Sequence, residues 1–193
     1  GLFSTDSLPP PLIDAFLKEA GMHYKFAEIF LNYRNAGPGL KGFTNLILDL
    51  ATPYEELAAG YRQDLVNNLR KAGRSSLRYI QNPPLSPTIS FFRRHYSRRL
   101  PHIRHEDYQR FEALCNTLQK KGQLLLRGIT DARGQLLATA LLPRDDHRLY
   151  LVQSTVTPAG RQVGANHLLL DRLIHEFAGQ PLILDFEGSE IQG

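Results

Sequence analysis

The chain has 193 residues, of which 42% are hydrophobic and 22% charged, so it can bury the core of one large domain or two small ones. Its net charge of +4 permits an anionic partner such as a nucleotide, a phosphate or RNA. The single cysteine, Cys115, excludes an internal disulfide and a cysteine-rich metal site. No apolar run approaches the roughly 20 residues of a membrane span and no signal peptide is visible, so we expect a cytoplasmic protein.

Neither end of the chain has the features of a native terminus. Met22 is the only methionine, which indicates that Gly1 is not a native start. Residues 182–186 have the pattern of an apolar strand, and the sequence GSEIQG then stops where a connection to a next element is expected. The sequence therefore predicts a piece of a longer protein that lacks segments at both ends.

The first third of the chain predicts two helices that flank two strands. Residues 11–21 have a helical pattern of apolar positions. Strands are expected over 24–33 and 43–50, paired across a turn rich in glycine and proline. A single helix is expected over 54–72, because Leu57, Tyr61, Leu65 and Leu69 recur at intervals of four.

From residue 76 onward the order of elements becomes more informative. The patterns predict a strand over 77–81, helices over 88–100 and 106–121, strands over 124–130, 135–142 and 148–156, a helix over 165–178 and a strand over 182–186. Short turns make the three central strands an antiparallel meander. A helix between the third meander strand and the last strand lets those two lie parallel. The expected fold class is α/β (α+β), with a mixed sheet of meander, crossover helix and parallel strand.

Residues 149–177 contain a strand, a turn with glycine and a helix. Small residues in the first turn of a helix let its bare N–H groups and positive dipole end hold a phosphate. The connection is expected to be irregular, with Arg161 available to an anion and Gly164 and Ala165 leaving room for a ligand at the backbone. The same turn is also compatible with a plain connection between strand and helix.

This order of elements, with its glycine turn, resembles the GNAT superfamily of acyl-coenzyme A N-acyltransferases over about residues 76–186. In that family a turn of the form Q/R-x-x-G-x-G/A follows the fourth strand and holds the pyrophosphate of the cofactor. The matching positions are Arg161, Gln162, Val163, Gly164, Ala165 and Asn166. Asn166 departs from the pattern, and its side chain narrows the approach to the backbone.

A narrower resemblance covers the whole chain. YEELAAGYRQDLVNNLRKAGR, residues 54–74, resembles the helix that joins the two GNAT-like halves of FemAB/FemX-like proteins, and DFEGSEIQG, residues 185–193, resembles their strand end. The resemblance implies that residues 1–73 are a partial first half with its linking helix. Residues 74–193 would then be a second GNAT-like domain that lacks its C-terminal elements.

The resemblance implies transfer of an acyl group from acetyl-CoA or another acyl-CoA to a small-molecule or peptide amine by direct attack. Backbone groups of the fourth strand would line the pantetheine arm, here Val152, Gln153, Ser154, Thr155 and Val156. The N–H groups of Val163 to His167 would face the pyrophosphate. Two alternatives remain, namely FemX-like aminoacyl transfer from aminoacyl-tRNA to a peptidoglycan precursor and a non-catalytic GNAT-fold protein that binds a ligand.

Two carboxylates end the last predicted strand and are candidates for the general base. Asp185 and Glu187 flank Phe186 and are expected to share one face, where each raises the proton affinity of the other. Glu187 is favoured because it lies nearer the C-terminal end of the strand. Cation binding, capping of a following helix and simple exposure are the alternatives. His167, in the first turn of its helix, is a further acceptor candidate or a solvent contact.

The segment FFRRHYSRRLPHIRH, residues 91–105, is the most basic stretch. It could grip the phosphates of tRNA, but a solvated face of an amphipathic helix is the favoured interpretation. No metal site is expected, because the histidines lack ligand spacing. The sequence leaves the acyl group, the acceptor and the oligomeric state open.

Overall fold

The computed structural model describes residues 9–26, 41 and 44–188. The described residues 45–188 belong to one compact unit, and residues 9–26, 41 and 44 belong to another. In the smaller unit, helix α1 spans Pro10–His23 and begins at prolines, as the pattern over 11–21 predicts. The strand predicted over 24–33 and the turn after it fall mostly outside the described residues. The predicted domain boundary after residue 73 remains a prediction.

The larger unit contains the remaining described elements. Its strands are β1 (Asn45–Asp49), β2 (Arg78–Gln81), β3 (Leu124–Thr130), β4 (Leu136–Pro143), β5 (Arg148–Tyr150), β6 (Gln153–Val156) and β7 (Ile183–Gly188). Its helices are α2 (Tyr54–Ala59), α3 (Gln63–Gly73), α4 (Leu85–Tyr96), α5 (His105–Lys120), α6 (Pro158–Gln162) and α7 (Ala165–Phe177). A 3-10 turn over Ser97–Arg99 follows α4.

The strands form a mixed arrangement of two sheets. One sheet has the order β2-β3-β4-β6 with every pair antiparallel, which confirms the predicted meander. The other has the order β1-β7-β5, with β1 antiparallel and β5 parallel to β7. The crossover through α7 therefore produces the predicted parallel pair, and the predicted fold class is confirmed.

The prediction of a single strand over 148–156 is wrong, because the structure has two strands in this range. The backbone N–H of Leu151 still bonds the carbonyl of Asp185 at 2.8 Å, and the chain then turns away at Val152. β5 thus pairs with β7, whereas β6 pairs with β4. The two halves separate because each finds its hydrogen-bond partner in a different sheet. We call the gap between residues 152–156 and residues 186–188 the fork.

The helix predicted over 54–72 is also two helices. Gly60 ends α2, and Arg62 has an extended backbone before α3 begins. Glycine is a weak helix former, so a break at this position is inexpensive. Both helices contact α7: the ring of Tyr54 meets that of His175 edge-on at 4.5 Å, and the carbonyl of Asn68 lies beside Gly164.

The core of this unit consists of two clusters on opposite faces of the meander. α7 contributes Leu169, Leu173 and Phe177 to one cluster, together with Ala138 and Ala140 of β4. α4 and α5 cover the other face and contribute, among others, Leu85, Ile89, Tyr108 and Cys115. Cys115 is buried in this cluster, and burial raises the pKa of its thiol to about 11.

Candidate functional site

The fork exposes two strand edges to a possible ligand. β6 pairs with β4 on one edge and with no other strand among the described residues. β7 runs beside β5 only as far as Asp185, so its edge beyond that residue faces the fork. Unpaired strand edges offer N–H and C=O groups to an extended ligand that carries amides. The pantetheine arm of coenzyme A is such a ligand.

The first turn of α7 lies next along the chain from β6. The backbone N–H of Leu168 bonds the carbonyl of Gly164, whereas those of Ala165, Asn166 and His167 have no acceptor within the described part of the protein. Bare N–H groups at the positive end of a 13-residue helix attract an anion. The predicted phosphate-binding turn therefore has free donors in place.

Close packing of α7 accounts for the two small residues at this turn. Gly164 adopts φ +73°, and a Cβ there would lie 2.8 Å from the carbonyl oxygen of Asn68. Ala165 is fully buried in the core. The space where a Cβ of Gly164 would lie is filled by α3, so this glycine allows α7 to pack closely on α3.

The connection before α7, predicted as irregular, is the short helix α6. Pro158 occupies its first turn, and the hydroxyl of Thr157 accepts the N–H of Gly160 at 2.8 Å. Proline at the first position and threonine at the cap are both favourable for a helix start. Within α6, Arg161 is exposed, and its guanidinium reaches the carbonyl of Val156 at 3.4 Å.

Asn166, the residue that departs from the family turn, binds to the neighbouring strand. Its side-chain oxygen accepts the hydroxyl of Ser154 at 3.0 Å. This bond joins β6 to the start of α7. On the opposite face of β6, the side chains of Gln153 and Thr155 are buried with their polar atoms unpaired within the described residues.

The two candidate carboxylates differ in environment, contrary to the expected shared face. Asp185 is 3% exposed, lies 2.8 Å from the guanidinium of Arg148, and accepts the backbone N–H of Glu187 at 2.8 Å. Glu187 is exposed at the edge of the fork and has a left-handed backbone, with φ +60°. The register between β1 and β7 shifts at this point, so a bulge interrupts the side-chain alternation.

Glu187 has the electrostatic character of a base. Partial desolvation and, second, the negative charge of Asp185 raise the pKa of Glu187, whereas Arg148 opposes the shift. A raised carboxyl pKa lies closer to neutral pH, where a general base works best. Asp185 is committed to Arg148 and to the backbone, so it cannot serve equally well.

A cavity of about 460 Å³, here called the α7 cavity, lies beside the fork. It is lined by Gly60, Tyr61, Arg62, Asp64, Leu65, His167, Leu170, Asp171, Ile174 and Phe186. The sequence pattern does not predict this cavity, because the break between α2 and α3 supplies one of its walls. Gly60 within a helical pattern was the signal that could have revealed the break.

Asp171 at the wall of the α7 cavity is held by two tyrosines. The hydroxyls of Tyr54 and Tyr61 donate to the same carboxylate oxygen at 2.7 and 3.2 Å. Burial, followed by the hydrogen bond to Asp171, raises the pKa of Tyr54 to about 12. One turn before Asp171 in α7, the Nδ1 atom of His167 is buried and has no partner in the described residues.

The basic segment separates into two faces in the structure. Phe91 is buried, and the rings of Phe92 and Tyr96 stack at 5.4 Å. The arginines are exposed, namely Arg93, Arg94, Arg98, Arg99 and Arg104. The predicted amphipathic helix is therefore confirmed for α4.

A sequence model described as an acetyltransferase (GNAT) domain matches residues 59–188, about two thirds of the chain. The chain belongs to this family. The match spans the fork, the start of α7 and both carboxylates. No curated protein matches the chain significantly.

Solved structures show the same GNAT fold. The chain is similar to FemX, with a TM-score of 0.67 and 12% identity over 95% of this chain and 69% of that one. It also resembles a conserved protein of unknown function from Bacteroides thetaiotaomicron, with a TM-score of 0.56 and 13% identity over 78% of this chain and 52% of that one. The chain thus spans about half of the second structure.

Two properties of the described residues bear on cofactors and membranes. No helix among them is long and apolar enough to cross a membrane. The described side chains contain no group of three or more histidine, cysteine or acidic residues arranged to hold a metal ion.

Proposed function

We propose that this GNAT domain transfers an acyl group from acyl-CoA to an amine. The observation that carries the proposal is the fork, whose free strand edges lead to the bare N–H groups at the start of α7. The pantetheine arm of coenzyme A carries amides and is joined to a pyrophosphate. It therefore matches strand edges that are followed by bare N–H groups. The amine would be a small molecule or part of a peptide.

Most of the predicted site residues have a role in this proposal, whereas the N–H groups of Val163 and Gly164 already bond carbonyls of α6. The backbone of residues 152–156 binds the pantetheine amides, and the N–H groups of Ala165, Asn166 and His167 bind the pyrophosphate. Arg161 is exposed beside them and adds a positive charge. Asn166, held by Ser154, keeps the start of α7 against β6 while these contacts form.

The chemical step is direct attack of the amine on the thioester. The nitrogen forms a bond to the carbonyl carbon, the carbon–sulfur bond breaks, and coenzyme A leaves as a thiolate that takes up the second proton of the attacking nitrogen. Glu187 accepts the proton that the ammonium must lose, and its raised pKa suits this role. Arg148 and Asp185 hold the backbone of Glu187 in position.

Calorimetric titration of acetyl-CoA into the protein tests the proposal. We expect one binding site per chain and a several-fold weaker affinity in Arg161→Ala, because a charge-assisted contact to phosphate is lost. Arg133→Ala, which removes an exposed arginine at the β3–β4 turn, is the matched control and leaves the affinity unchanged. Absence of any binding would reject the acyl-CoA proposal.

The second candidate function is FemX-like aminoacyl transfer from tRNA, which the exposed arginines around the end of α4 favour. Its test is fluorescence anisotropy with tRNA at two ionic strengths. Phosphate contacts weaken steeply between about 50 and about 200 mM salt, so a tRNA-dependent protein loses most of its affinity over that range. Weak binding that does not respond to salt would remove this candidate. Binding of acyl-CoA without turnover on any amine would favour the non-catalytic alternative.

A further inference from the structure

We infer that the α7 cavity binds the acyl group and that this group is an apolar chain longer than acetyl. The inference rests on the proposed function and assigns the acyl substrate class to a site of its own. It follows from the position of the cavity, the chemistry of its walls and its size.

The cavity and the fork share Phe186, which lies at the edge of the fork where we place the thioester. Phe186, one of its lining residues, is the first residue of β7 past the last contact with β5. None of the lining residues belongs to β6. A pantetheine arm bound to the backbone of β6 would therefore leave the cavity free for the group beyond the sulfur.

The inner walls of the cavity are apolar. They consist of Leu65, Leu170, Ile174 and Phe186. Arg62 and Asp64 are exposed at the rim, and the carboxylate of Asp171 already accepts two tyrosine hydroxyls. Among the described residues of this lining, the buried Nδ1 atom of His167 lacks a partner. A charged acyl group would therefore find few buried partners, whereas an alkyl chain would bury its surface against the four apolar side chains.

The size of the cavity exceeds the need of an acetyl group. Its volume of about 460 Å³ falls within the range of ligand pockets. The lining residues of α7 extend from His167 to Ile174, a rise of about 10 Å along the helix. A chain of several methylenes can lie along this length, and each buried methylene strengthens binding by about fourfold.

The test is a calorimetric series with free CoA, acetyl-CoA, butyryl-CoA and hexanoyl-CoA. We expect hexanoyl-CoA to bind at least tenfold more tightly than acetyl-CoA, because the added methylenes enter an apolar cavity. Leu170→Trp fills the cavity and is expected to abolish this gain while acetyl-CoA still binds. Arg172→Trp adds the same ring to an exposed position of α7 and is expected to keep the gain.

Each outcome separates the inference from the proposed function. Equal affinity for acetyl-CoA and hexanoyl-CoA in the unmodified protein would overturn the inference and leave the proposed function intact. Loss of the gain in Arg172→Trp as well would also overturn it, because the effect would not depend on the cavity. If no member of the series binds, the proposed function fails and the inference fails with it. Thermal melting verifies that Leu170→Trp is folded, and Leu65→Trp replaces it if it is not.

Discussion

The carboxylate of Asp185 accepts the backbone N–H of Glu187 at 2.8 Å, while its other oxygen lies 2.8 Å from the guanidinium of Arg148. The aspartate thereby connects β5, β7 and the bulge at the edge of the fork. A non-glycine residue with φ +60° is strained, and this hydrogen bond helps to hold it. In the proposed reaction, Asp185 would position the backbone and Glu187 would accept the proton.

Replacement of Asp185 is expected to destabilise the protein. Asp185→Asn breaks the ion pair between a buried carboxylate and Arg148, so we expect the free energy of unfolding to fall by about 3 kcal/mol. Urea denaturation measures the change. Asp146→Asn, at an exposed position of the β4–β5 turn, is the control and should shift the midpoint hardly at all. Equal stability of the two variants would show that the ion pair contributes nothing.

Glu187→Gln is expected to reduce turnover without reducing acyl-CoA affinity. A general base contributes about 10²- to 10⁴-fold to the rate, so kcat/KM for an amine acceptor should fall within that range. In the unmodified protein, kcat/KM should decrease as the pH falls through the raised pKa of Glu187, since only the ionised form accepts a proton. Release of free thiol from acetyl-CoA, followed against pH, gives both quantities. Unchanged turnover in the variant would remove Glu187 as the base.

Gly164→Ala is expected to lower the free energy of unfolding more than the same change at another glycine with a left-handed backbone. Gly164 and Gly134 have φ +73° and +79°, so alanine is strained at both by about 1–2 kcal/mol. A Cβ at Gly134 meets nothing within 4 Å, whereas one at Gly164 meets the carbonyl of Asn68 at 2.8 Å. The difference in unfolding free energy between the two variants measures the packing of α3 on α7. Equal losses of unfolding free energy in the two variants would mean that α3 can move to accommodate the added methyl group.

The meander and α7 could be predicted because their signals are local. Apolar β-favouring runs separated by short turns indicate the antiparallel strands, and leucines at helical spacing indicate α7. Gly164 was also recognised as a special residue. The reason why glycine is required there could not be predicted, because the carbonyl that fills the space beside it belongs to Asn68, which is distant in the chain.

The fork and the α7 cavity could not be predicted, since both depend on partners that are remote in sequence. Residues 148–156 are apolar enough to continue as one strand, and the split arises from hydrogen bonds with β7, some thirty residues later. β1 likewise pairs with β7 at the other end of the domain. The cavity requires both a break at Gly60 and the arrival of Phe186 beside α7. The spacing of apolar residues describes a single segment and carries no information on contacts between segments that are remote in sequence.

The buried ion pair between Arg127 and Glu176 predicts a specific dependence of stability on pH. Arg127 donates two hydrogen bonds to Glu176, at 2.8 and 2.5 Å, and Tyr79 donates a third at 2.7 Å. Burial alone would raise the pKa of Glu176, but these bonds outweigh it and the pKa is lowered. The stability that this group contributes is therefore fully present above the unfolded pKa of about 4.3 and is lost as the pH falls through the lower folded value.

Urea denaturation between about pH 3 and about pH 6 tests this dependence. We expect Glu176→Gln to be less stable by about 3 kcal/mol at the upper end, because Arg127 keeps an uncompensated buried charge. The two curves should approach each other toward the acidic end, where Glu176 becomes protonated in the unmodified protein as well. Glu112→Gln, on α5 and outside this network, is the control and should run parallel to the unmodified protein. A constant difference between Glu176→Gln and the unmodified protein across the whole range would show that protonation of Glu176 is not linked to folding.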